Sequence, residues 1–262
     1  GWTYDLTGAL IQTPEANTEE LSTFGALALK PVSVAIWRGC VFANPDPNAP
    51  DFGDYFQGVD QFAADCGFDL SHYNMLRRFE LDIAADWKLV YDNSVECYHC
   101  PSMHARTLNT LYDADGFADA NWAGRVRKVM ARLKSSDQLH HSIQLFPGSY
   151  LVMDPVIGIV GRFYPVAPDR TKLVFHFLAA PGATTSDSER YADLWSETLR
   201  EDHAIVTAQQ NSVSSGMLEH GYLVSGPEAS VHGVQRLILD AYRQAIDQQT
   251  PQSGGETNAT VT

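Results

Sequence analysis

Two histidines five positions apart carry the clearest chemical signal in the sequence. His99 and His104 lie at the end of the run WKLVYDNSVECYHCPSMH, which begins at Trp87, and Glu96 stands three residues before the first of them. Neutral imidazole is the commonest metal ligand among side chains. Two imidazoles and a carboxylate from another part of the chain would form the facial triad that binds non-haem iron. A metal site here therefore needs an acid from elsewhere in the sequence.

Asp202 is the candidate for that acid. It lies in a long helical pattern, on the apolar stripe formed by Leu199, Ile205 and Val206. A carboxylate directed at a core is costly unless it is paired or bound to a metal. A buried arginine or a backbone donor could also satisfy it, and the neighbouring Glu201 could take its place as a ligand.

The spacing of the two histidines requires a break in regular helix. Asp86 is a good N-cap, and the apolar spacing after it predicts a helix over residues 87–100 with Glu96 and His99 on one face. An offset of five residues places two side chains about 140° apart on an ideal helix. Pro101 would kink the helix and could turn both rings towards one ion. The alternative is a pair of histidines that only satisfy hydrogen bonds in the core.

A β-rich middle and two C-terminal helices would have to position these residues. Residues 72–84 read as a strand, and the region from 141 to 180 predicts an antiparallel meander. Its strand candidates are residues 143–146, 150–153, 157–164 and 173–178. The capping box Ser186-x-x-Glu189 opens the long helix, which ends near Gly216, and a last helix follows over Val231–Tyr242.

Two other stretches give weaker expectations. Residues 31–44 read as a buried β segment interrupted at Gly39. Residues 105–137 are less regular and carry a basic cluster, which we expect on a solvent-facing surface, with a contact to another subunit or to an electron donor as the alternative. The cluster comprises Arg125, Arg127, Lys128, Arg132 and Lys134.

Composition excludes several classes of protein. The 262 residues are 44% apolar with a net charge of −14, which indicates a globular protein and disfavours a nucleic-acid surface. The sequence shows no signal peptide and no apolar run of membrane-spanning length. The four cysteines are sparse, which fits a reducing cytoplasm. Cys97 and Cys100 form half of a zinc motif, but no second pair follows.

The iron-site motif of Rieske non-haem iron oxygenase α subunits closely resembles the segment Asp92–His104, DNSVECYHCPSMH, preceded by DWKL from Asp86. These are the aromatic-ring-hydroxylating dioxygenases and the related monooxygenases and demethylases. The run EDHAIV from Glu201 is similar to the carboxylate-ligand segment of that family, and FPG from Phe146 with the strands after it is similar to its cavity sheet. The resemblance extends over about residues 1–245. The run ECYHCP resembles the branch with choline and betaine monooxygenases and other demethylases, and also some aromatic oxygenases.

The resemblance implies an α+β fold. It predicts a helix-grip (START-like) catalytic domain, with a curved antiparallel sheet and a long C-terminal helix, preceded by the last β segments of a Rieske domain. The implied boundaries are residues 1–44 for that Rieske remnant, 45–247 for the mononuclear-iron catalytic domain and 248–262 for a disordered tail.

The resemblance also implies the roles of the site residues. His99, His104 and Asp202 are expected to bind Fe(II). Glu96 is expected to bridge a ligand histidine to a cluster histidine of the neighbouring subunit, and Asn93 to tune access near the iron.

The implied activity needs more than this chain contains. The opening Gly1-Trp2 resembles the end of a Rieske cluster motif, but the Cys-x-His and Cys-x2-His pairs that hold a [2Fe–2S] cluster are absent. We expect the cluster in the full-length protein, so this chain should bind iron without turning over with its physiological reductant. Electrons would come from NAD(P)H through a reductase and sometimes a ferredoxin, in a cytoplasmic homotrimer or α/β oligomer. O2 would then hydroxylate, dihydroxylate or demethylate a small organic substrate, as in aromatic compound catabolism.

Two alternatives remain at this point. One is a helix-grip module that binds a hydrophobic ligand without chemistry. The other is a zinc hydrolase that uses His99 and His104.

Overall fold

The chain forms two compact units, residues 1–55 and 56–262, in a computed structural model that describes residues 1–23, 27–113, 118–218 and 220–249. The domain boundary after residue 44 stays a prediction. The sequence predicts a disordered tail over residues 248–262. Residues 250–262 lie outside the described part of the chain.

The first unit contains two hairpins and two short helices. Its elements are β1 (Thr3–Tyr4), β2 (Leu10–Gln12), α1 (Thr18–Thr23), β3 (Ser33–Trp37), β4 (Cys40–Asn44) and α2 (Phe52–Tyr55). Arg38 and Gly39 both have positive φ and form the tight turn between β3 and β4. The expectation of a buried segment is wrong here, because a two-stranded hairpin covers one face only: Ile36 is 80% exposed and Trp37 is 7% exposed.

A seven-stranded antiparallel sheet dominates the second unit. Its strands are β5 (Asn74–Ile83), β6 (Ala118–Ala123), β7 (Val126–Arg132), β8 (Leu139–Leu145), β9 (Ser149–Met153), β10 (Ile157–Ala167) and β11 (Arg170–Ala179). They lie in the order β5-β11-β10-β9-β8-β7-β6. The α+β class, the strand over 72–84 and the meander are confirmed.

The hairpin of β6 and β7 corrects the expectation of an irregular, solvent-facing basic region. Arg127 on β7 is only 2% exposed, and its guanidinium donates to Gln144 Oε1 at 2.7 Å and to Ser230 Oγ at 3.0 Å. Exposed and buried residues alternate along β7, so its basic residues do not share one face.

The helices of the second unit hold the candidate site residues. They are α3 (Val59–Cys66), α4 (Trp87–Ser94), α5 (Cys100–Met103), α6 (Leu108–Leu111), α7 (Thr185–Ser214) and α8 (Ala229–Gln249). The long helix α7 packs on β5, β10 and β11 and also contacts α4 and α6, whereas α8 contacts α4 and β6. Among the described residues, none of the helices combines the length and the apolar character needed to cross a bilayer.

Two helix boundaries differ from the sequence-based expectation. Asp86 caps α4 by accepting from the Lys88 backbone N–H, but the helix ends at Ser94 and not at residue 100. The Glu96 carboxylate accepts from the backbone N–H groups of Tyr98 and His99, and such local bonds compete with helix continuation.

The start of α7 is the second difference. Thr184 is the N-cap, with its hydroxyl accepting from the Asp187 N–H, so the helix begins before the expected Ser186 box.

Candidate metal centre

Three side-chain atoms converge between α5 and α7. The Nε2 atoms of His99 and His104 lie 3.1 Å apart, and Asp202 Oδ1 lies 3.3 Å from the first and 3.1 Å from the second. His99 and His104 flank α5 as its N-cap and C-cap residues, while Asp202 lies in the middle of α7. The expected kink at Pro101 is wrong: the helix is interrupted before His99, between α4 and α5, and Pro101 lies in the first turn of α5, where proline fits without breaking the helix.

This triangle fits a metal ion. Ligand atoms bonded to one ion at ~2.1 Å and at right angles lie ~3.0 Å apart. Asp202 Oδ1 is buried and has no hydrogen-bond partner in the described part of the chain, although both imidazoles are close. A buried unpaired oxygen is costly, and a cation between the three atoms would remove that cost.

Each histidine has a carboxylate on its other ring nitrogen. His99 Nδ1 contacts the Glu96 carboxylate, and His104 Nδ1 lies 2.8 Å from Glu201 Oε2. Carboxylate partners of this kind orient metal-binding imidazoles. The structure therefore turns Glu201 away from the three-atom centre and towards the far side of His104.

The charges around the centre favour a cation. Burial lowers the pKa of His99, but Asp202 and Glu96 outweigh this effect and raise it to about 10. Burial raises the pKa of Asp202, but His104 and His99 outweigh this effect and lower it to about 2, with a smaller contribution from Asn93. Asn93 thus lies close to Asp202 and also lines the cavity, and its role in tuning access stays a prediction.

A cavity lined mainly by apolar and aromatic side chains opens on the centre. Its walls come from the sheet, α4, α6 and α7. The aromatic part of the lining consists of Tyr112, Tyr150, Phe163, Phe175 and Trp195. The polar residues His140 and Arg127 also line the cavity, which the sequence did not lead us to expect. For Arg127, the alternation of buried and exposed residues along β7 could have indicated an inward-facing side chain.

The cysteines do not provide a better ligand set. Cys100 Sγ lies within 4.8 Å of the histidine nitrogens. A hydrogen bond with Cys97 and burial both raise the pKa of Cys100, which disfavours the thiolate that a metal would bind.

Comparisons with known proteins identify the family of this chain. The catalytic-domain profile of the ring hydroxylating alpha subunit family matches residues 70–244. The glycine betaine monooxygenase oxygenase subunit of Chromohalobacter salexigens is 30% identical over 146 residues, which are 56% of this chain and 31% of that protein. The carnitine monooxygenase oxygenase subunit of Escherichia coli K12 is 25% identical over 251 residues, which are 89% of this chain and 66% of that protein.

The fold has close counterparts among solved structures. The quaternary ammonium Rieske monooxygenase CntA, in complex with an inhibitor, superposes with a TM-score of 0.78 at 22% identity over 91% of this chain and 69% of that chain. Naphthalene 1,2-dioxygenase from Rhodococcus superposes with a TM-score of 0.62 at 17% identity. The chain thus spans from under a third to about two thirds of the curated relatives named above. It belongs to the family of ring hydroxylating alpha subunits, of which it contains the catalytic domain.

Proposed function

We propose that this chain is the catalytic part of a terminal oxygenase that activates O2 at a mononuclear Fe(II) and oxidises a small quaternary ammonium compound. The observation that carries the proposal is the triangle of His99 Nε2, His104 Nε2 and Asp202 Oδ1, with sides of 3.1–3.3 Å, at the wall of an aromatic cavity. The relatives named for glycine betaine and carnitine oxidation support the substrate class.

The ligand set suits iron, and the match to the ring hydroxylating alpha subunit family favours iron over zinc. Two imidazoles and one carboxylate with open positions are typical of non-haem Fe(II) sites that activate O2. When iron is bound, the site supplies O2 activation for insertion of oxygen into a C–H bond of the substrate. The chain's own residues hold the ligand rings in place, and the mainly apolar walls limit the contact of the reacting groups with water.

The cavity walls suit a quaternary ammonium group. The ring centroids of Tyr150 and Trp195 lie 6.3 Å apart, and those of Tyr112 and Trp195 lie 6.2 Å apart. Aromatic faces arranged around a cavity attract a cation that carries no hydrogen-bond donor. The substrate would thus be held by ring faces, with a methyl group directed at the metal centre.

Electron supply and assembly are further parts of the proposal. Glu96 contacts His99 and is 11% exposed, so it is placed to connect a ligand histidine with a group beyond the site. A Rieske [2Fe–2S] cluster, a reductase and an oligomeric arrangement would deliver electrons there. The four free cysteines support a reducing cytoplasm.

Substitution of one cavity tyrosine tests the substrate class. Tyr150→Leu removes an aromatic face from the cavity, whereas Tyr164→Leu makes the same change at a residue that is 46% exposed and does not line it. For the Fe(II) protein treated with nitric oxide, we expect glycine betaine and carnitine to perturb the electron paramagnetic resonance spectrum. Tyr150→Leu should weaken their binding about 2–30-fold, in line with 0.5–2 kcal/mol per cation–π contact.

Three results would contradict the proposal. If no quaternary ammonium compound perturbs the spectrum, the substrate class is wrong. If the protein binds such compounds but no metal, it is a binding module. If it retains zinc in preference and hydrolyses esters or amides, the two histidines serve a hydrolase.

A further inference from the structure

We propose that Glu201 is a positioning residue that fixes the orientation and the tautomer of His104. The inference rests on the proposed function, because it assumes that His104 is a metal ligand. The motif around His99 and His104 does not point to Glu201, which lies 97 residues after His104 in the sequence.

The carboxylate of Glu201 contacts two buried side chains, those of His104 and Thr107. Its Oε2 lies 2.8 Å from His104 Nδ1 and accepts a hydrogen bond of 2.6 Å from the Thr107 hydroxyl. His104 is 1% exposed and Thr107 is 4% exposed. Both donors therefore depend on this carboxylate oxygen, since little water can reach them.

The acceptor on Nδ1 decides the state of the other ring nitrogen. An ionised carboxylate only accepts hydrogen bonds, so Nδ1 of His104 carries the hydrogen. In the neutral ring, Nε2 then holds the lone pair. This atom faces the centre, 3.1 Å from both His99 Nε2 and Asp202 Oδ1. Glu201 thus presents His104 in the form that binds a metal ion.

Because Glu201 lies on the long helix α7, its contact with His104 can hold that ring in a fixed position. His104 follows the single-turn helix α5, which has little rigidity of its own. Glu201 and Asp202 are consecutive on a 30-residue helix, about 100° apart around its axis. One rigid element therefore supplies the third ligand and also holds the second one, across a separation of 97 residues.

His99 is held differently. Its carboxylate partner, Glu96, is three residues away in the same loop, so that contact cannot tie the loop to the rest of the fold. Loss of Glu201 should consequently affect the metal site through His104 alone.

Two substitutions separate orientation from charge. Glu201→Gln keeps an oxygen that can accept from Nδ1, whereas Glu201→Ala removes the acceptor. Loss of such partners weakens metal binding about 10–100-fold. We expect this loss for Glu201→Ala and partial rescue in Glu201→Gln. Glu197→Ala is the matched control, because Glu197 lies one turn earlier on α7 and pairs on the surface with Arg200.

The experiment is an anaerobic Fe(II) titration against a competing chelator, with the spectrum of the Co(II)-substituted protein as a second readout. The melting temperature of each metal-free variant is measured in parallel. The expected result is an affinity order of wild type, then Gln, then Ala. The Co(II) bands should shift in the Ala variant, and Glu197→Ala should match wild type.

Unchanged Fe(II) affinity and unchanged Co(II) bands in Glu201→Ala would overturn the inference. A loss of affinity in Ala and Gln alike, in proportion to a lower melting temperature of the metal-free protein, would also overturn it, because a general structural role then explains the data. Failure of the proposed function would give a different result. The wild type would then bind no Fe(II), or His104→Ala would bind Fe(II) as tightly as the wild type.

Discussion

Two half-buried aspartates show how strongly individual surroundings control the chemistry of this chain. Asp202 faces two imidazoles, which outweigh burial and lower its pKa to about 2. Asp92 on α4 is also half-buried, and burial raises its pKa to about 6 against the weaker effects of Gln235 and Lys88. The ionised carboxylate is thus favoured at Asp202, where it can bind a cation. At Asp92 the ionised form is disfavoured and destabilises the fold.

Asp92 gives a prediction for the pH dependence of stability. A carboxyl group with a raised pKa in the folded state stabilises the fold below its unfolded value of 3.8 and loses that contribution as the pH rises through about 6. Asn resembles the protonated acid and can accept from Gln235. We expect Asp92→Asn to stabilise the protein by on the order of 1–2 kcal/mol at pH 8 and by much less at pH 4.

Chemical denaturation at both pH values measures this difference. Asp65→Asn is the control, because Asp65 accepts from a glutamine in the same way but lies exposed on α3. Equal stabilities of wild type and Asp92→Asn at pH 8 would show that Asp92 is not destabilising when ionised.

The strands explain the shape of the cavity at the level of elements. Gly161 on β10 pairs directly with Phe175 on β11, and the Phe175 ring lies across it and lines the cavity. A Cβ on Gly161 would meet Cε1 and Cζ of that ring at 2.8 Å. Glycine at this position therefore allows the ring to lie flat on the sheet.

Gly161→Ala should push the Phe175 ring into the cavity. Such overpacking costs about 1–3 kcal/mol, and we expect this loss in the free energy of unfolding by urea. Phe175→Leu has a smaller side chain and should relieve the clash, so the double variant should be more stable than the sum of the single changes predicts. Strict additivity would contradict this explanation of the packing.

The sequence predicted those elements whose pattern is set by burial. The meander and α7 follow from alternation and helical spacing, and Asp202 was recognisable as a polar residue on an apolar stripe. The end of α4 was not predictable, because the side chain of Glu96 competes for backbone N–H groups in the next turn. The β6–β7 hairpin was missed because Arg127 is buried through hydrogen bonds that form only in the folded chain.

Some site residues could likewise be predicted from the sequence, and others could not. His99 and His104 carry a recognisable local motif, and the structure brings them to Asp202. Glu201 and Thr107 contact each other only after α7 has packed beside α6, so no local spacing could reveal them.

For the whole molecule, the sheet and α7 form one scaffold around the cavity that opens on the three-atom centre in the second unit. The match to the ring hydroxylating alpha subunit family covers this scaffold, from residue 70 to residue 244. The proposed metal centre lies where loop, helix and cavity meet.

The most direct test of the account is the Fe(II) content of the anaerobically reconstituted chain and of its His99→Ala, His104→Ala and Asp202→Ala variants. Circular dichroism verifies that each variant is folded. We predict one Fe(II) per wild-type chain, perturbed by nitric oxide, and at least ~100-fold weaker binding in every variant, because each loses one of three protein ligands. Full iron retention by Asp202→Ala, or by either histidine variant, would contradict the proposed centre.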